Sequence, residues 1–326
     1  MVSPANRMPI RWGMLGCGDV TEVKSGPGFQ KADGSALAAV MRRDGDKARD
    51  YARRHGVPRA YDRADDLVGD PDVDAVYVAT PPSTHLELAL LAARAGKPCL
   101  VEKPMAMTHA ECRLMVDGFG ECGVPLFVAY YRRALPRFLG VRARLAAGAI
   151  GTVTSVHVQV TERLASGDTL RNWRFDPVIA GPGLFFDLGS HCFDLLDFFF
   201  GPIAGVEGIA LNTAGAYAAA DIVAAAFRFA NGAAGTAIFN FNAASKTDAI
   251  VVSGTRGTLT TPVFSDGDVV IDGDGGREVL PIRDPPHVHQ PLIQTIVDEL
   301  AGRGRCESTG ESGARTSWVL DRATGG

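Results

Sequence analysis

The chain has 326 residues, 46% of them hydrophobic, and a formal net charge of −4 with no long run of one sign. That length predicts two domains with ample core; nucleic acid is not expected without a basic stripe interleaved with aromatics, nor is a membrane span without roughly 20 consecutive apolar residues. Residues 1–10 carry no apolar run of the signal-peptide kind, and the six cysteines show no paired spacing, so reduced thiols and a cytoplasmic location are expected.

The first third alternates strand and helix patterns. Residues 11–15 read as a strand, followed by a glycine turn and a helical stretch toward Lys31. Residues 35–41 are a second strand, and 46–55 a helix ended by Gly56 and Pro58. Residues 75–79 form a continuous apolar run, the pattern of a strand buried on both faces. A helix over 84–95, a strand over 99–101, a helix over 108–120 with Thr108 and Glu111 spaced as a capping box, and a strand over 125–129 follow. Such alternation implies right-handed crossovers and a parallel sheet.

The character changes near residue 130, where the domain boundary is expected, dividing the chain into 1–130 and 131–326. A helix is predicted over 136–149. Residues 152–161 alternate polar and apolar, the mark of a half-buried strand. Further strands are predicted at 222–229, 235–241, 248–252 and 257–261, with hairpin turns at Asn231-Gly232 and Asp266-Gly267, and a late helix at 292–300. The fold class read from this is α/β: an N-terminal parallel-sheet domain of Rossmann type, then an α+β domain with a mostly antiparallel sheet.

Gly16-Cys17-Gly18-Asp19-Val20-Thr21 follows the first strand. Its two glycines fit a dinucleotide fingerprint, one for the tight turn and one for close approach of the pyrophosphate, with Asp19 and Val20 opening the helix beyond. The next strand ends in Arg42-Arg43-Asp44, where an NAD site wants a carboxylate. Arginine forks suit a 2′-phosphate, which favours NADP; Asp44, slightly late, keeps NAD open. Thr80-Pro81-Pro82 makes a stiff loop at a strand's carboxyl end, placed to lie along the cofactor. His85 beyond it reads either as a cofactor contact or as a packing residue.

Lysine is scarce, and one of six, Lys103, sits in Glu102-Lys103-Pro104 at the end of a predicted parallel strand, where open α/β sheets bind ligands. The second unusual segment is Asp187-Leu188-Gly189-Ser190-His191. A lysine, a histidine and a carboxylate make an acid–base apparatus. His191 titrates near neutrality and suits the proton of an alcohol. Asp187, four residues earlier, shares a helical face with it, to meet substrate or to orient the ring; a helix cap is the plainer alternative for Asp187, and Asp194 an alternative partner for His191. Lys103 would stabilise charge on the reacting oxygen.

Taken together, Gly16-Cys17-Gly18, Ala79-Thr80-Pro81-Pro82 with His85, Glu102-Lys103-Pro104, Tyr131-Arg132-Arg133, and Gly181-Pro182-Gly183 leading to Asp187 and His191 resemble the glucose–fructose oxidoreductase and inositol dehydrogenase (Gfo/Idh/MocA) family in order and spacing. The resemblance extends less specifically to Ser308-Thr309-Gly310-Glu311. It implies a Rossmann domain, a second domain with a large open sheet often used for oligomerisation, and the catalytic trio Lys103, Asp187 and His191. Thr21 at the third fingerprint position, Pro182 within a usual triple glycine, and Arg42 in place of Asp depart from the family pattern.

The cofactor residues expected are therefore Gly16, Gly18, Asp19, Val20, Arg42, Arg43, Thr80, Pro81, Pro82, His85, Glu102 and Lys103. Tyr131, Arg132, Trp173 and Arg174 are expected at the substrate, a polyol or an anionic sugar-like molecule, or else in packing. His287 and His289, two apart in a proline-rich loop with no cysteine nearby, do not suggest a metal. The activity expected is NADP- or NAD-dependent oxidation or reduction of a sugar, polyol or related hydroxy/keto compound, by a homodimer or homotetramer. A nicotinamide-dependent glycoside hydrolase of the same fold and a non-catalytic cofactor-sensing regulator are the alternatives.

Overall fold

The computed structural model describes residues 9–181, 183–281 and 283–325. The start of the chain, where no leader is expected, and Pro182 of the Gly181-Pro182-Gly183 motif lie outside the described residues. The chain divides into two compact units, one running to Leu135 and including Pro285–Ala314, the other formed by Pro136–Asp284 and the residues from Arg315 on. A single cut at residue 130 differs from this division, because the stretch 285–314 groups with the N-terminal unit. Ser308 Oγ donates to the Val128 carbonyl at 2.7 Å, the Val128 N–H donates to Ser308 O, and the Gln294 side chain bonds both the N–H and the carbonyl of Asp33.

In the first unit, strands β1 (Ile10–Leu15), β2 (Ser35–Met41), β3 (Arg59–Tyr61), β4 (Ala75–Val78), β5 (Cys99–Val101) and β6 (Leu126–Val128) form one sheet in the order β3-β2-β1-β4-β5-β6. Every pairing is parallel. This is the dinucleotide-binding order, with its switch point between β1 and β4. β4 is buried at all four residues, as its unbroken apolar run requires. Leu15, Val76, Val78, Val101 and Val128 build the core with Ala89, Ala92, Met115 and Phe119 from the helices His85–Arg94 and His109–Cys122. The latter helix has half of the expected capping box: Thr108 accepts from the Glu111 N–H, while the Glu111 carboxylate accepts from the Met107 N–H, one residue before the N-cap.

In the second unit, β7 (Val153–Thr161), β8 (Ile203–Leu211), β9 (Ile222–Phe229), β10 (Ala234–Asn240), β11 (Thr247–Gly254), β12 (Gly257–Thr261), β13 (Val269–Gly273) and β14 (Gly276–Leu280) form a sheet in the order β14-β13-β12-β11-β7-β10-β9-β8. β7 and β10 pair in parallel; all other pairs are antiparallel. Along β7, Val156, Val158 and Val160 are buried while Ser155 and His157 are exposed, the expected alternation. The Asn231-Gly232 turn joins the antiparallel β9 and β10, with Gly232 at φ 94°. The core face is aromatic: Phe185, Phe193, Phe227 and Phe239 meet edge to face or tilted at centroid distances of 5.0–6.3 Å.

Candidate functional site

The glycine turn is fixed from two sides. The N–H groups of Gly16 and Cys17 both donate to the Met41 carbonyl at the end of β2. Gly16 adopts φ +92°, and a Cβ there would stand 2.6 Å from Thr80 Cγ2, so the turn lies against the Thr80 loop with no room for a side chain. Gly18 is different: its backbone is extended, and a Cβ built on it meets nothing within 4 Å. The backbone is thus open to close approach at the glycine that the fingerprint assigns to the pyrophosphate, and the residues fit a dinucleotide.

The helical stretch expected toward Lys31 is two short helices, Asp19–Val23 and Gly26–Lys31, separated at Lys24-Ser25, with Gly26-Pro27 opening the second. Proline removes a donor and a Cβ at Gly26 would collide with the Thr21 carbonyl, so the break is built into the sequence. A five-residue helix has little macrodipole, so a phosphate at this turn would depend on individual N–H groups rather than on a long helix. Thr21, at the third fingerprint position, is buried; its hydroxyl accepts from the Gly18 N–H and donates to the Gly18 carbonyl, doing as a local staple what a small residue does by packing.

Arg42 Nη1 donates to the Cys17 carbonyl at 3.3 Å, which brings an exposed guanidinium to the turn. Arg43 is exposed beside it. Asp44 is the N-cap of the helix Gly45–His55, accepting from the Lys47 N–H and pairing with its ammonium; those bonds hold its carboxyl below the usual range.

Pro82–Thr84 form a 3₁₀ turn after Thr80-Pro81. His85 is fully buried. Its Nε2 lies 2.7 Å from the Thr80 carbonyl and its Nδ1 3.1 Å from the Pro104 carbonyl, so the ring clips the Thr80 loop to the segment after Lys103. Burial depresses its pKa. Of the two readings of His85, packing is the one its ring nitrogens serve.

Glu102 points inward. Tyr77, from β4, donates its hydroxyl to Oε1, and the Lys103 N–H donates to Oε2 at 3.1 Å. The carboxylate expected at the cofactor is thereby engaged in supporting the backbone of Lys103. Tyr131 and Arg132 are buried in a 3₁₀ turn, Tyr131–Ala134, with the Arg132 guanidinium 4.9 Å from the Tyr131 ring centre. The Tyr131 ring also meets His289, at 4.5 Å between centroids. In the sequence His289 stands out only as half of the His287/His289 pair; among the described residues no three His, Cys, Asp or Glu side chains group to hold an ion.

In the second unit Asp187 lies in a π-helical turn, Phe185–Gly189, that runs into the helix Ser190–Phe200 carrying His191. The α-helical spacing assumed for the pair is therefore widened at Asp187; π-turns of this kind recur at functional sites. The N-cap position of the following helix is Gly189, with no side-chain cap, so the cap reading of Asp187 is not the observed one. Arg174 Nε stands 3.7 Å from Asp187 Oδ2, and the same guanidinium covers the half-exposed Trp173 ring at 4.6 Å. The structure thus joins two residues expected separately, one at the substrate and one in catalysis. His191 and Asp194 are buried on one helix. The His191 ring meets Phe264 at a steep angle, 6.1 Å between centroids. Phe264 went unnoticed in the sequence; Asp248 seats its loop by accepting from the N–H groups of Val263, Phe264 and Ser265.

Residues 10–130 match the oxidoreductase family with an NAD-binding Rossmann fold (GFO/IDH/MocA), and residues 138–260 match the GFO/IDH/MocA C-terminal domain. The chain is 34% identical to Oxidoreductase P35 of Formosa agariphila over 96% of this chain and 97% of that one. It is 30% identical to the 1,5-anhydro-D-fructose reductase of Ensifer adhaerens over 97% and 94%. The crystal structure of levoglucosan dehydrogenase in complex with NADH and levoglucosan shares its fold, with a TM-score of 0.86 at 22% identity over 96% of each chain. So does the aldose-aldose oxidoreductase of Caulobacter crescentus, with a TM-score of 0.86 at 24% identity. With the parallel sheet, the open glycine turn and the Glu-Lys-Pro strand end in place, these matches make the chain a member of the Gfo/Idh/MocA family of oxidoreductases.

Proposed function

We propose that the protein is an NADP-preferring dehydrogenase or reductase acting on a neutral sugar, polyol or related hydroxy/keto compound, with Lys103, Asp187 and His191 as its acid–base residues. The observation that carries the reading is the placement of Lys103 directly after β5, beside β4 at the switch point of a sheet whose glycine turn is open to a dinucleotide. The sugar reductase and dehydrogenases among the relatives and neighbours support the substrate class.

The nicotinamide, when bound, takes or gives the hydride. His191 takes the hydroxyl proton as the alcohol is oxidised and returns it to the carbonyl in reverse. Lys103 donates to the reacting oxygen and stabilises the charge that grows there. Asp187 supports the proton transfer through its carboxylate. Gly16, Gly18, Asp19 and Val20 hold the pyrophosphate by backbone approach, the Thr80-Pro81-Pro82 loop lies along the cofactor, and Arg42 with Arg43 takes the 2′-phosphate. Arg174 pairs with Asp187, so the guanidinium most suited to an anion already has a counter-charge, which favours an uncharged polyol. Trp173 offers it an apolar platform.

The sheet face opposite the aromatic core exposes Thr236, Ala226 and Ile209, a surface open to a second copy; a homodimer or homotetramer in the cytoplasm is the assembly proposed. No described helix is long and apolar enough to cross a membrane.

The test is an initial-rate screen of sugars, polyols and their keto forms with NADPH and NADH, with Lys103→Ala and His191→Ala alongside. Net nicotinamide oxidation or reduction abolished by both substitutions is expected. Unchanged turnover in either variant, or glycoside cleavage with no net change in nicotinamide absorbance, overturns the reading.

A further inference from the structure

Residue His289 lies outside both matched family segments, 10–130 and 138–260. It belongs to the stretch 285–314 that returns to the first unit late in the chain. It stands at the start of the helix Gln290–Leu300, and that helix is seated by neighbours far away in sequence. Gln290 Nε2 donates to the Lys31 carbonyl at 3.3 Å, and a Cβ on Gly28 would stand 2.9 Å from Ile293 Cδ1. The helix is thus packed against the short helix Gly26–Lys31 just beyond the glycine turn.

This docking buries the imidazole: His289 is 3% exposed. Its Nε2 lies 3.5 Å from Glu102 Oε1, the oxygen that also receives the Tyr77 hydroxyl. Its ring rests on Tyr131. Burial, with Lys24, Lys103 and Arg132 in the surroundings, pushes its pKa down to about 3, so it faces Glu102 as a neutral ring. A buried carboxylate needs its lone pairs directed. Tyr77 and the Lys103 N–H direct two of them, and the His289 ring stands against Oε1 at 3.5 Å in packing contact, without a hydrogen bond to it.

We infer that His289 is a positioning residue for catalysis: by packing against Glu102 it keeps that carboxylate turned onto the Lys103 backbone, and so fixes where Lys103 presents its ammonium. The inference rests on the reading of Lys103 given above. The enclosed ring does not reach the reacting atoms itself; its effect passes through Glu102. Losing it frees the carboxylate to rotate within the first unit, and a displacement of about 1 Å at a reacting group costs on the order of 100-fold in rate.

The experiment compares His289→Leu, His289→Gln and Tyr77→Phe in the full chain, with steady-state kinetics, dinucleotide binding by fluorescence titration, and melting temperature. His289→Leu is expected to lower kcat by about 10- to 100-fold while the KM and Kd for the dinucleotide stay within about twofold. His289→Gln, which restores a polar group toward Oε1, is expected to recover most of kcat. The inference is overturned if His289→Leu keeps wild-type kcat. It is also overturned if kcat, dinucleotide affinity and melting temperature fall together and glutamine recovers none of them, since that is a purely structural role. If His289→Leu fails to fold, the smaller His289→Ala takes its place beside Tyr77→Phe: kcat lowered at unchanged dinucleotide Kd supports the inference, and wild-type kcat in both refutes it. Undiminished turnover in Lys103→Ala is a different result and removes the acid–base reading itself.

Discussion

Arg42 Nη1 donates to the carbonyl oxygen of Cys17 at 3.3 Å, so the cation at the end of β2 is tied to the glycine turn Gly16-Cys17-Gly18. The neighbouring carboxylate, Asp44, is meanwhile engaged in capping the helix Gly45–His55. On the proposed reading a ribose 2′-phosphate here would meet the Arg42 guanidinium, with the Asp44 carboxylate paired to the Lys47 ammonium. A charge-assisted hydrogen bond contributes about 1.5–3 kcal/mol, and each 1.4 kcal/mol is tenfold in affinity. Arg42→Asp is expected to weaken NADPH binding by about 10- to 100-fold and to leave NADH within a few-fold. Parallel titrations of both cofactors check this; undiminished preference for NADPH removes the phosphate role.

The two glycines of the turn should fail differently. Gly16 has a positive φ and Thr80 Cγ2 in its Cβ position, so Gly16→Ala is strained in the free protein and should lower the melting temperature by several degrees. Gly18 is extended, with open space around its Cβ, so Gly18→Val should leave the melting temperature near wild type and abolish dinucleotide binding. Thermal melts with and without cofactor separate them: a cofactor-induced shift in Gly18→Val would show that the pyrophosphate lies elsewhere.

Asp187 and Arg174 make a part-exposed pair at 3.7 Å, with side chains 27% and 37% exposed. Pairs of this kind add about 0–1 kcal/mol to stability, so Arg174→Gln should barely change the melting temperature. Its expected effect is on turnover, because Asp187 loses its partner and Trp173 its cover. If the substrate is uncharged, kcat/KM should fall by a similar factor for a sugar and for its carboxylate analogue. A much larger fall for the carboxylate would make Arg174 an anion receptor and redirect the search for substrate.

The parallel sheet was legible because its strands are continuous apolar runs punctuated by glycine and proline, as at Ala75–Val78. Arg59–Tyr61 escaped notice: three residues at a sheet edge, none buried, carry no hydrophobic signal. Strand Ile203–Leu211 hides behind Gly205 and Gly208, which sit under Arg228 and against the Ala323 carbonyl where side chains do not fit. The hairpin Val269–Gly273 and Gly276–Leu280 is short, glycine-bounded and charged. The helix Gly310–Ala323 opens with Gly-Glu-Ser-Gly, whose two glycines are poor helix formers but lie against Leu126 and Val128 where a side chain would collide. Among the candidate site residues, the motifs that are local in sequence can be named before folding: Gly16-Cys17-Gly18, Glu102-Lys103-Pro104 and Asp187 to His191. Pairings made only by folding cannot. Nothing near His289 announces that it will meet Glu102, 187 residues away in the chain; only the docking of its helix does that.

The buried histidines also set a pH dependence. His289 is fully enclosed with its pKa lowered from 6.5 to about 3, and burial lowers that of His85 as well. A group whose folded pKa lies below its unfolded value binds fewer protons in the native state, so stability is complete above the unfolded value and declines as pH falls below it. The window begins near pH 6.5 and, for His289, closes near pH 3. Each pH unit within it costs about 1.4 kcal/mol for His289, so by about pH 5 that histidine alone should have cost roughly 2 kcal/mol of unfolding free energy. The carboxylates with lowered values, such as Glu22 beside Arg54, lose their contribution only nearer the ordinary acidic range, below this upper part of the window. Urea unfolding at about pH 7.5 and about pH 5 measures the loss, and His289→Gln should shrink it while leaving the share of His85. Equal losses in the wild type and in His289→Gln would mean that the native imidazole takes up its proton as readily as the unfolded one, and that its enclosure beside Lys24, Lys103 and Arg132 does not hold it neutral.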